Sequence, residues 1–114
     1  MLRKLKIFLL VVPTAPPQNF SATVTGTTSV EFNWQPPPTD DQNGPLSYYQ
    51  LWLVDETFNL TDTTINTTNT SYSIATLEEY IHYSCQVAAS NVVGVGPYSS
   101  PVEITTLQDG KLNL

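Results

Sequence analysis

Basic side chains are scarce in this sequence, and their scarcity excludes several kinds of ligand. Lysine and arginine number four, three of them within the first six positions, against ten aspartates and glutamates, and the net charge is −6. Proteins bind phosphate backbones through clusters of lysine and arginine, and this chain has no such cluster. Nucleic acid is therefore excluded, and heparin-like chains or anionic lipids are disfavoured as ligands of the folded part.

Cysteine and histidine are each represented by one residue, Cys85 and His82. One cysteine cannot form an internal disulfide. On a strand, residues three positions apart point to opposite faces, so these two cannot act as a nucleophile and its base. Neither has a partner at the spacing of a zinc site, and Asp40 and Asp41 do not form the pattern of a calcium loop. We therefore predict a protein without catalytic activity, metal, cofactor or small-molecule substrate.

Long apolar runs are also missing. The longest stands at the start, where MLRKLKIFLLVV (1–12) combines basic residues with a short apolar stretch. This pattern resembles a signal peptide; the alternatives are a residual upstream segment or a wrongly assigned start. The stretch is too short to span a bilayer, so membrane attachment is expected only through segments outside this chain.

Residues that favour strands are abundant. Apolar and polar side chains alternate over several short stretches, prolines and glycines separate these stretches, and no apolar period near 3.6 is sustained. The pattern predicts an all-β fold, a seven-stranded antiparallel immunoglobulin-like β-sandwich without an internal disulfide. The predicted strands lie within 19–26, 29–35, 46–54, 58–65, 71–77, 83–90 and 101–107, and we expect irregular loops at 36–45 and 91–99.

Strand alternation assigns side chains to the two faces. The predicted structural core consists of Trp34, Tyr49, Leu51, Tyr72, Leu77, Tyr83, Cys85 and Val87. Trp52 and Tyr48 point the other way, and an exposed Trp–Tyr pair is typical of a partner-binding anchor. The alternative is that Trp52 packs under the neighbouring strand at 58–65 or against a flanking domain.

Four sequons for asparagine-linked glycosylation indicate where the protein is found. The acceptor residues are Asn19, Asn59, Asn66 and Asn69, and three of them fall within one polar stretch. Glycans of this kind are added to surface loops of proteins that pass through the secretory pathway. We therefore expect an extracellular or cell-surface location.

Four short motifs, in order, give the chain a family resemblance. The second predicted strand ends in WQPP (34–37), and NGPLSYYQLWL (43–53) follows it. Leu77 then precedes Tyr83 by six residues, and the last motif is AASNVVGVGPYSSP (88–101). In this arrangement the chain resembles a fibronectin type III domain.

The resemblance covers residues 13–107 and leaves 108–114 as a C-terminal linker or tail. It implies that Trp34 fills the space taken by a disulfide in immunoglobulin domains, and that the hydroxyl of Tyr83 bonds to backbone near Leu77–Glu79. The flanks PTAPPQNF and TTLQDG resemble connectors between tandem domains of receptor-type tyrosine phosphatases and neural adhesion receptors.

The function implied is a non-catalytic spacer or protein-recognition module in a cell-surface receptor or adhesion protein, contacting a protein partner or the neighbouring domains of a tandem array. One alternative is an ectodomain fragment of a receptor tyrosine phosphatase or kinase whose catalytic domain lies elsewhere. Another is an accessory domain of a secreted glycan-active enzyme. No R-G-D tripeptide is present, so integrin binding through that motif is not expected.

Overall fold

Short strands dominate the structure, as the alternation predicts. The computed structural model describes residues 11–58 and 62–106. The elements in these ranges are β1 (Gln18–Val24), β2 (Val30–Gln35), α1 (Thr39–Gln42), β3 (Leu46–Asp55), β4 (Asp62–Thr67), β5 (Ser71–Ile74), β6 (His82–Asn91), β7 (Val95–Tyr98) and β8 (Val102–Thr105).

The strands form two antiparallel sheets. The smaller sheet has the order β1-β2-β5, and the larger has the order β4-β3-β6-β7, with β8 also paired to β6. Strand β7 pairs with β6 near Ala88 and Ser90, whereas β8 pairs with the first half of β6, from His82 to Cys85. The two sheets enclose one hydrophobic core, which confirms the predicted sandwich.

The core follows directly from period-two alternation. In β2 the side chains of Val30, Phe32 and Trp34 are buried, and the residues between them are exposed. The inward side chains of β3 and β6 meet them from the other sheet. Of the side chains predicted for the core, Trp34, Tyr49, Leu51, Cys85 and Val87 are buried, and Tyr72, Leu77 and Tyr83 are half-buried against the cluster.

The predicted tyrosine hydrogen bond is present. The backbone N–H of Glu78 donates to the Tyr83 hydroxyl at 3.2 Å. Burial raises the pKa of Tyr83, with a smaller opposing effect from this hydrogen bond. The bond ties the segment between β5 and β6 to the start of β6, where the chain crosses from the smaller sheet to the larger.

The predicted count of seven strands was wrong, because the described ranges contain eight. The stretch 91–99 was predicted to be a loop, but it contains β7. Its glycines and proline disfavour a central strand, yet β7 has only β6 as a neighbour within the described ranges, and a sheet edge tolerates proline.

The predicted loop 36–45 includes the single turn α1, which ends at Asn43 in the left-handed conformation with φ 55°. The remaining differences are shifts of strand ends: β4 begins at Asp62 and β8 ends at Thr105.

The proline-rich segment before β1 is fixed to the domain. Pro13 is fully buried, and the N–H of Thr14 donates to the carbonyl of Asp41 at 2.8 Å. The side-chain amide of Asn91 donates to the carbonyl of Val11 at 2.9 Å. The sequence of this segment resembles a connector between domains, and its first residues, Pro13 and Thr14, are held against the loops at one end of the sandwich.

Candidate functional site

The outer side of the larger sheet presents aromatic and amide side chains to solvent. In β3 the inward residues Tyr49, Leu51 and Leu53 are buried, whereas the outward residues Tyr48, Gln50 and Trp52 are half-buried. Neither sheet of the sandwich covers this side. The group formed by Tyr48, Gln50, Trp52, Asn66 and Tyr98 is called the aromatic face below.

One row of residues crosses the whole sheet. Asn66 of β4 pairs with Gln50 of β3, Gln50 pairs with Ala88 of β6, and Ala88 pairs with Tyr98 of β7. The Tyr98 hydroxyl donates a short hydrogen bond to Oε1 of Gln50. The Nε2 group of Gln50 then donates to Oδ1 of Asn66 at 3.1 Å. Since this chain of bonds orients each group in turn, the row is a preorganised surface.

Trp52 occupies the next row and contacts both neighbouring groups. Its ring centroid lies 5.4 Å from that of Tyr98, with the two planes inclined at 51°. Its Nε1–H donates to Oδ2 of Asp62 at 3.3 Å. The predicted outward direction of Trp52 therefore agrees with the structure. Its ring packs on Tyr98 of β7, and β4 supplies the hydrogen-bond acceptor Asp62.

Tyr98 is the residue of the aromatic face that sequence reasoning missed, because it lay in a predicted loop. Ala88 is fully buried although it points to the outer side, since its neighbour Tyr98 extends across it to Gln50. The available signal was β6 itself, where the small residue Ala88 replaces the polar residues found at the other outward positions. A small side chain on an outward position leaves room for a large neighbour on the next strand.

The electrostatics of the surface are acidic. All four lysines and arginines lie outside the described residues, whereas every acidic residue except Asp109 lies within them. Asp62 and Glu103 lie at the end of the sheet beyond Trp52, opposite Val54 and Ser84 in the pairing register. Burial raises the pKa of Tyr98, and the neighbouring Tyr48 adds to the rise, so the Tyr98 phenol stays neutral at physiological pH.

The sequon asparagines lie at different places on the molecule. Asn66 belongs to the aromatic face, and Asn69 lies in the exposed turn between β4 and β5. Asn19 has a left-handed conformation with φ 55° at the start of β1, and its Nδ2 donates to Oε1 of Gln35 at 2.7 Å. Asn59 lies outside the described residues.

The remaining chemically reactive groups do not come together. Cys85 is fully buried, and desolvation raises its pKa to about 12. His82 points outward and lies 3.5 Å from Glu103. Among residues 11–58 and 62–106, no group of three histidine, cysteine or acidic side chains could hold a metal ion. In the same ranges no helix has the length and apolar character needed to cross a bilayer.

Comparisons with known proteins agree with this architecture. The family model for the fibronectin type III domain matches residues 15–105. The Tyrosine-protein phosphatase Lar of Drosophila melanogaster is 35% identical over 99 residues, which cover 86% of this chain and 5% of that protein. Protein sidekick-2 of Mus musculus is 36% identical over 100 residues, 85% of this chain and 5% of that protein. The chain thus spans about a twentieth of the length of these relatives.

A solved structure has the same fold. The crystal structure of the FN5 domain of Drosophila Lar superimposes with a TM-score of 0.69 at 24% identity, covering 85% of this chain and 99% of that one. The match in sequence and the match in fold both fall on the two-sheet sandwich described above. This chain belongs to the fibronectin type III domain family.

Proposed function

We propose that the chain is a non-catalytic extracellular module that binds a protein partner through the aromatic face. The observation that carries the proposal is the pairing of Trp52 with Tyr98 on a side of the sandwich that neither sheet covers. Tryptophan and tyrosine are the residues most enriched among binding hot spots, because they bury large areas at low entropic cost.

The charges around the aromatic face favour a basic partner. Asp62 accepts the Trp52 indole N–H, and the Glu103 side chain is 62% exposed at the same end of the sheet. Arginine combines a flat cation that stacks on aromatic rings with donors that pair with carboxylates. An arginine-bearing segment of another protein would satisfy both groups, and the acidic surface would accelerate its association.

The relatives support an extracellular receptor context. Lar and receptor-type tyrosine-protein phosphatase F carry the phosphatase name, and the netrin receptor DCC is another relative, at 38% identity. We propose that this chain is likewise one module of a longer cell-surface protein. The full open reading frame tests this proposal: we expect it to encode a membrane-spanning segment, with or without a phosphatase or kinase domain, whereas a secreted glycan-active catalytic domain would contradict it.

A spacer role has its own supporting observation. Asn91 is 4% exposed, and its side-chain amide bonds three backbone carbonyls, of which that of Val11 belongs to the segment leading into the domain. An anchored junction would hold a preceding domain at a defined angle. This role is compatible with recognition through the aromatic face, because the junction lies at the end of the sandwich.

Binding of the tetramerised domain, produced in bacteria and therefore without glycans, to a panel of cells tests the recognition proposal. We expect Trp52→Ala to reduce binding at least tenfold while the far-ultraviolet spectrum stays unchanged. Asn33→Ala is the matched control, since Asn33 is exposed on the outer side of the smaller sheet. Equal loss in both variants, or no loss in Trp52→Ala, would contradict recognition through the aromatic face.

A further inference from the structure

We propose that Asn66 carries an N-linked glycan whose first sugars rest on Trp52 and thereby close the aromatic face to protein partners. This inference rests on the proposed function, because glycosylation requires passage through the secretory pathway. It joins two features that the sequence presents separately, a sequon and an aromatic pair. A glycosylated and an unglycosylated form of the chain would then differ in what they bind.

Asn66 and Trp52 lie close together on the outer side of the larger sheet. Asn66 pairs with Gln50 on β3, and Trp52 is two residues further along the same strand, on the same face. Trp52 is therefore the diagonal cross-strand neighbour of Asn66. Diagonal neighbours on one face are about 7–8 Å apart, which is within reach of large side chains.

A hydrogen bond from Gln50 orients the side-chain amide of Asn66. Its Oδ1 accepts the hydrogen bond from Nε2 of Gln50 at 3.1 Å. The amide oxygen thus points along the row toward β3, and Nδ2 is the atom left for the glycosidic bond. Asn66 is exposed on the outer side of the larger sheet, so a sugar on Nδ2 stands above the face on which Trp52 also lies.

The covalent step is the ordinary transfer of an oligosaccharide from a polyprenyl diphosphate. A bond forms between Asn66 Nδ2 and C1 of the first N-acetylglucosamine, and the bond from C1 to the diphosphate oxygen breaks. The amide nitrogen loses one proton, the polyprenyl diphosphate leaves with the bonding electron pair, and no atom is oxidised or reduced. Thr68 completes the sequon.

The ring of Trp52 offers a surface on which a sugar can pack. A pyranose ring has one face of C–H groups, which pack favourably on the faces of aromatic rings. Trp52 offers such a ring, and it is held in place by Tyr98 and Asp62. The half-buried aromatic surface would lose further contact with water when the sugar covers it. A glycan in this position occupies the area that a protein anchor would need.

Asn69 offers an internal comparison only three residues away. It lies in the exposed turn at 68–70, outside the paired strands. A glycan on Asn69 would extend into solvent from the turn that connects β4 to β5. The two sequons therefore predict different environments for chemically identical sugars in the same molecule.

Four alanine substitutions isolate the two sites without altering any sequon asparagine. Ser21→Ala and Thr61→Ala remove the sequons of Asn19 and Asn59. Adding Ser71→Ala leaves Asn66 as the acceptor, whereas adding Thr68→Ala leaves Asn69. Both proteins would be secreted from a eukaryotic host. Mass spectrometry would measure the occupancy of each site, and NMR would record the N-acetyl methyl resonance of the first sugar.

We expect Asn66 to be occupied, and its N-acetyl methyl resonance to lie upfield of that on Asn69 because of the Trp52 ring current. In the Asn66-glycosylated protein, Trp52→Leu should return this resonance to the chemical shift found for the Asn69 glycan. We also expect the Asn66-glycosylated protein to bind cells several-fold more weakly than the Asn69-glycosylated one. An unoccupied Asn66, coincident resonances, or equal cell binding would overturn the proposal.

Failure of this inference is distinguishable from failure of the proposed function. The Thr68→Ala protein has no glycan on the aromatic face, so its cell binding and the effect of Trp52→Ala on that binding test recognition alone. Suppose that the Asn66 glycan shows no resonance shift, while the Thr68→Ala protein binds cells and loses this binding on Trp52→Ala. The glycan then does not cover the aromatic face, and the recognition role stands.

Discussion

The rings of Trp52 and Tyr98 lie 5.4 Å apart, although their strands β3 and β7 are not neighbours in the sheet. Strand β6 separates them, and its small residue Ala88 provides the space that the Tyr98 side chain crosses. One aromatic pair therefore links three strands on the outer side of the larger sheet. This link contributes to stability and also keeps both rings oriented toward solvent, where a partner or a sugar can reach them.

The pair should show a measurable coupling energy. Aromatic pairs contribute about 0.5–1.5 kcal/mol beyond the area that each ring buries. We expect the unfolding free energies of Trp52→Ala, Tyr98→Ala and the double variant to give a coupling of about 1 kcal/mol from urea denaturation. Trp52→Ala combined with Asn33→Ala, on opposite sheets, should be additive. A Trp52–Tyr98 coupling no larger than that of the control pair would contradict direct stabilisation.

The hydrogen bond between Glu78 and Tyr83 gives a second prediction. Tyr83→Phe removes the acceptor of the Glu78 N–H and preserves the ring, so it should lower the unfolding free energy by about 1 kcal/mol. Tyr72→Phe is the control, because the Tyr72 ring is also half-buried while its hydroxyl makes no hydrogen bond within the described residues. Equal losses in the two variants would show that the hydrogen bond does not contribute.

Alternation and family motifs were sufficient to predict the sandwich and most of its inward side chains. The inward pattern of β2 is visible in VEFNWQ, where period two is unbroken and burial on one face follows from it. Strand β7 could not be predicted in the same way. VGPY contains a glycine and a proline, and its conformation depends on pairing with β6, which is a tertiary interaction.

The buried thiol of Cys85 should be unreactive in the folded protein. Its side chain is fully buried, desolvation raises its pKa to about 12, and the thiolate is the reactive form. We expect a disulfide reagent at pH 8 to modify Cys85 at a rate limited by unfolding, and to modify it rapidly in 6 M guanidinium. Fast modification under native conditions, with the unfolded fraction negligible, would contradict the buried position.

The same shift in pKa predicts a dependence of stability on pH. The folded pKa is raised above the ordinary value of 9.0, so the unfolded state loses its thiol proton first. Stability is therefore full below pH 9 and decreases as the pH rises toward 12, by up to about 1.4 kcal/mol per pH unit. Cys85→Val should fold and should make this decrease smaller above pH 9, because the tyrosines, which titrate in the same range, are identical in the two proteins. An unchanged slope in Cys85→Val would contradict this assignment.

The candidate site was predictable only in part. The outward direction of Trp52 follows from alternation in β3, and Asn66 is visible as a sequon. Their proximity depends on the register of β3 against β4, which pairs Gln50 with Asn66. A shift of one residue would move Asn66 to the inner face, and sequence alone does not determine which register forms.

Asn91 provides the last prediction, because one side chain holds the segment leading into the domain. Its Nδ2 donates to the carbonyls of Val11 and Gln42 at 2.9 and 3.0 Å, and its Oδ1 accepts from Val93 N–H at 2.9 Å. Asn91→Asp preserves the acceptor and the shape but replaces the donor by an oxygen facing carbonyls. We expect it to lower the unfolding free energy by about 2–3 kcal/mol at pH 7, with partial recovery at acidic pH as the new carboxyl becomes protonated. The amide of Thr14 should also exchange faster with deuterium, whereas Asn69→Asp in the exposed turn at 68–70 should change neither quantity. If Asn91→Asp loses stability without faster exchange at Thr14, the side chain supports the loop around Val93 and does not anchor the N-terminal segment.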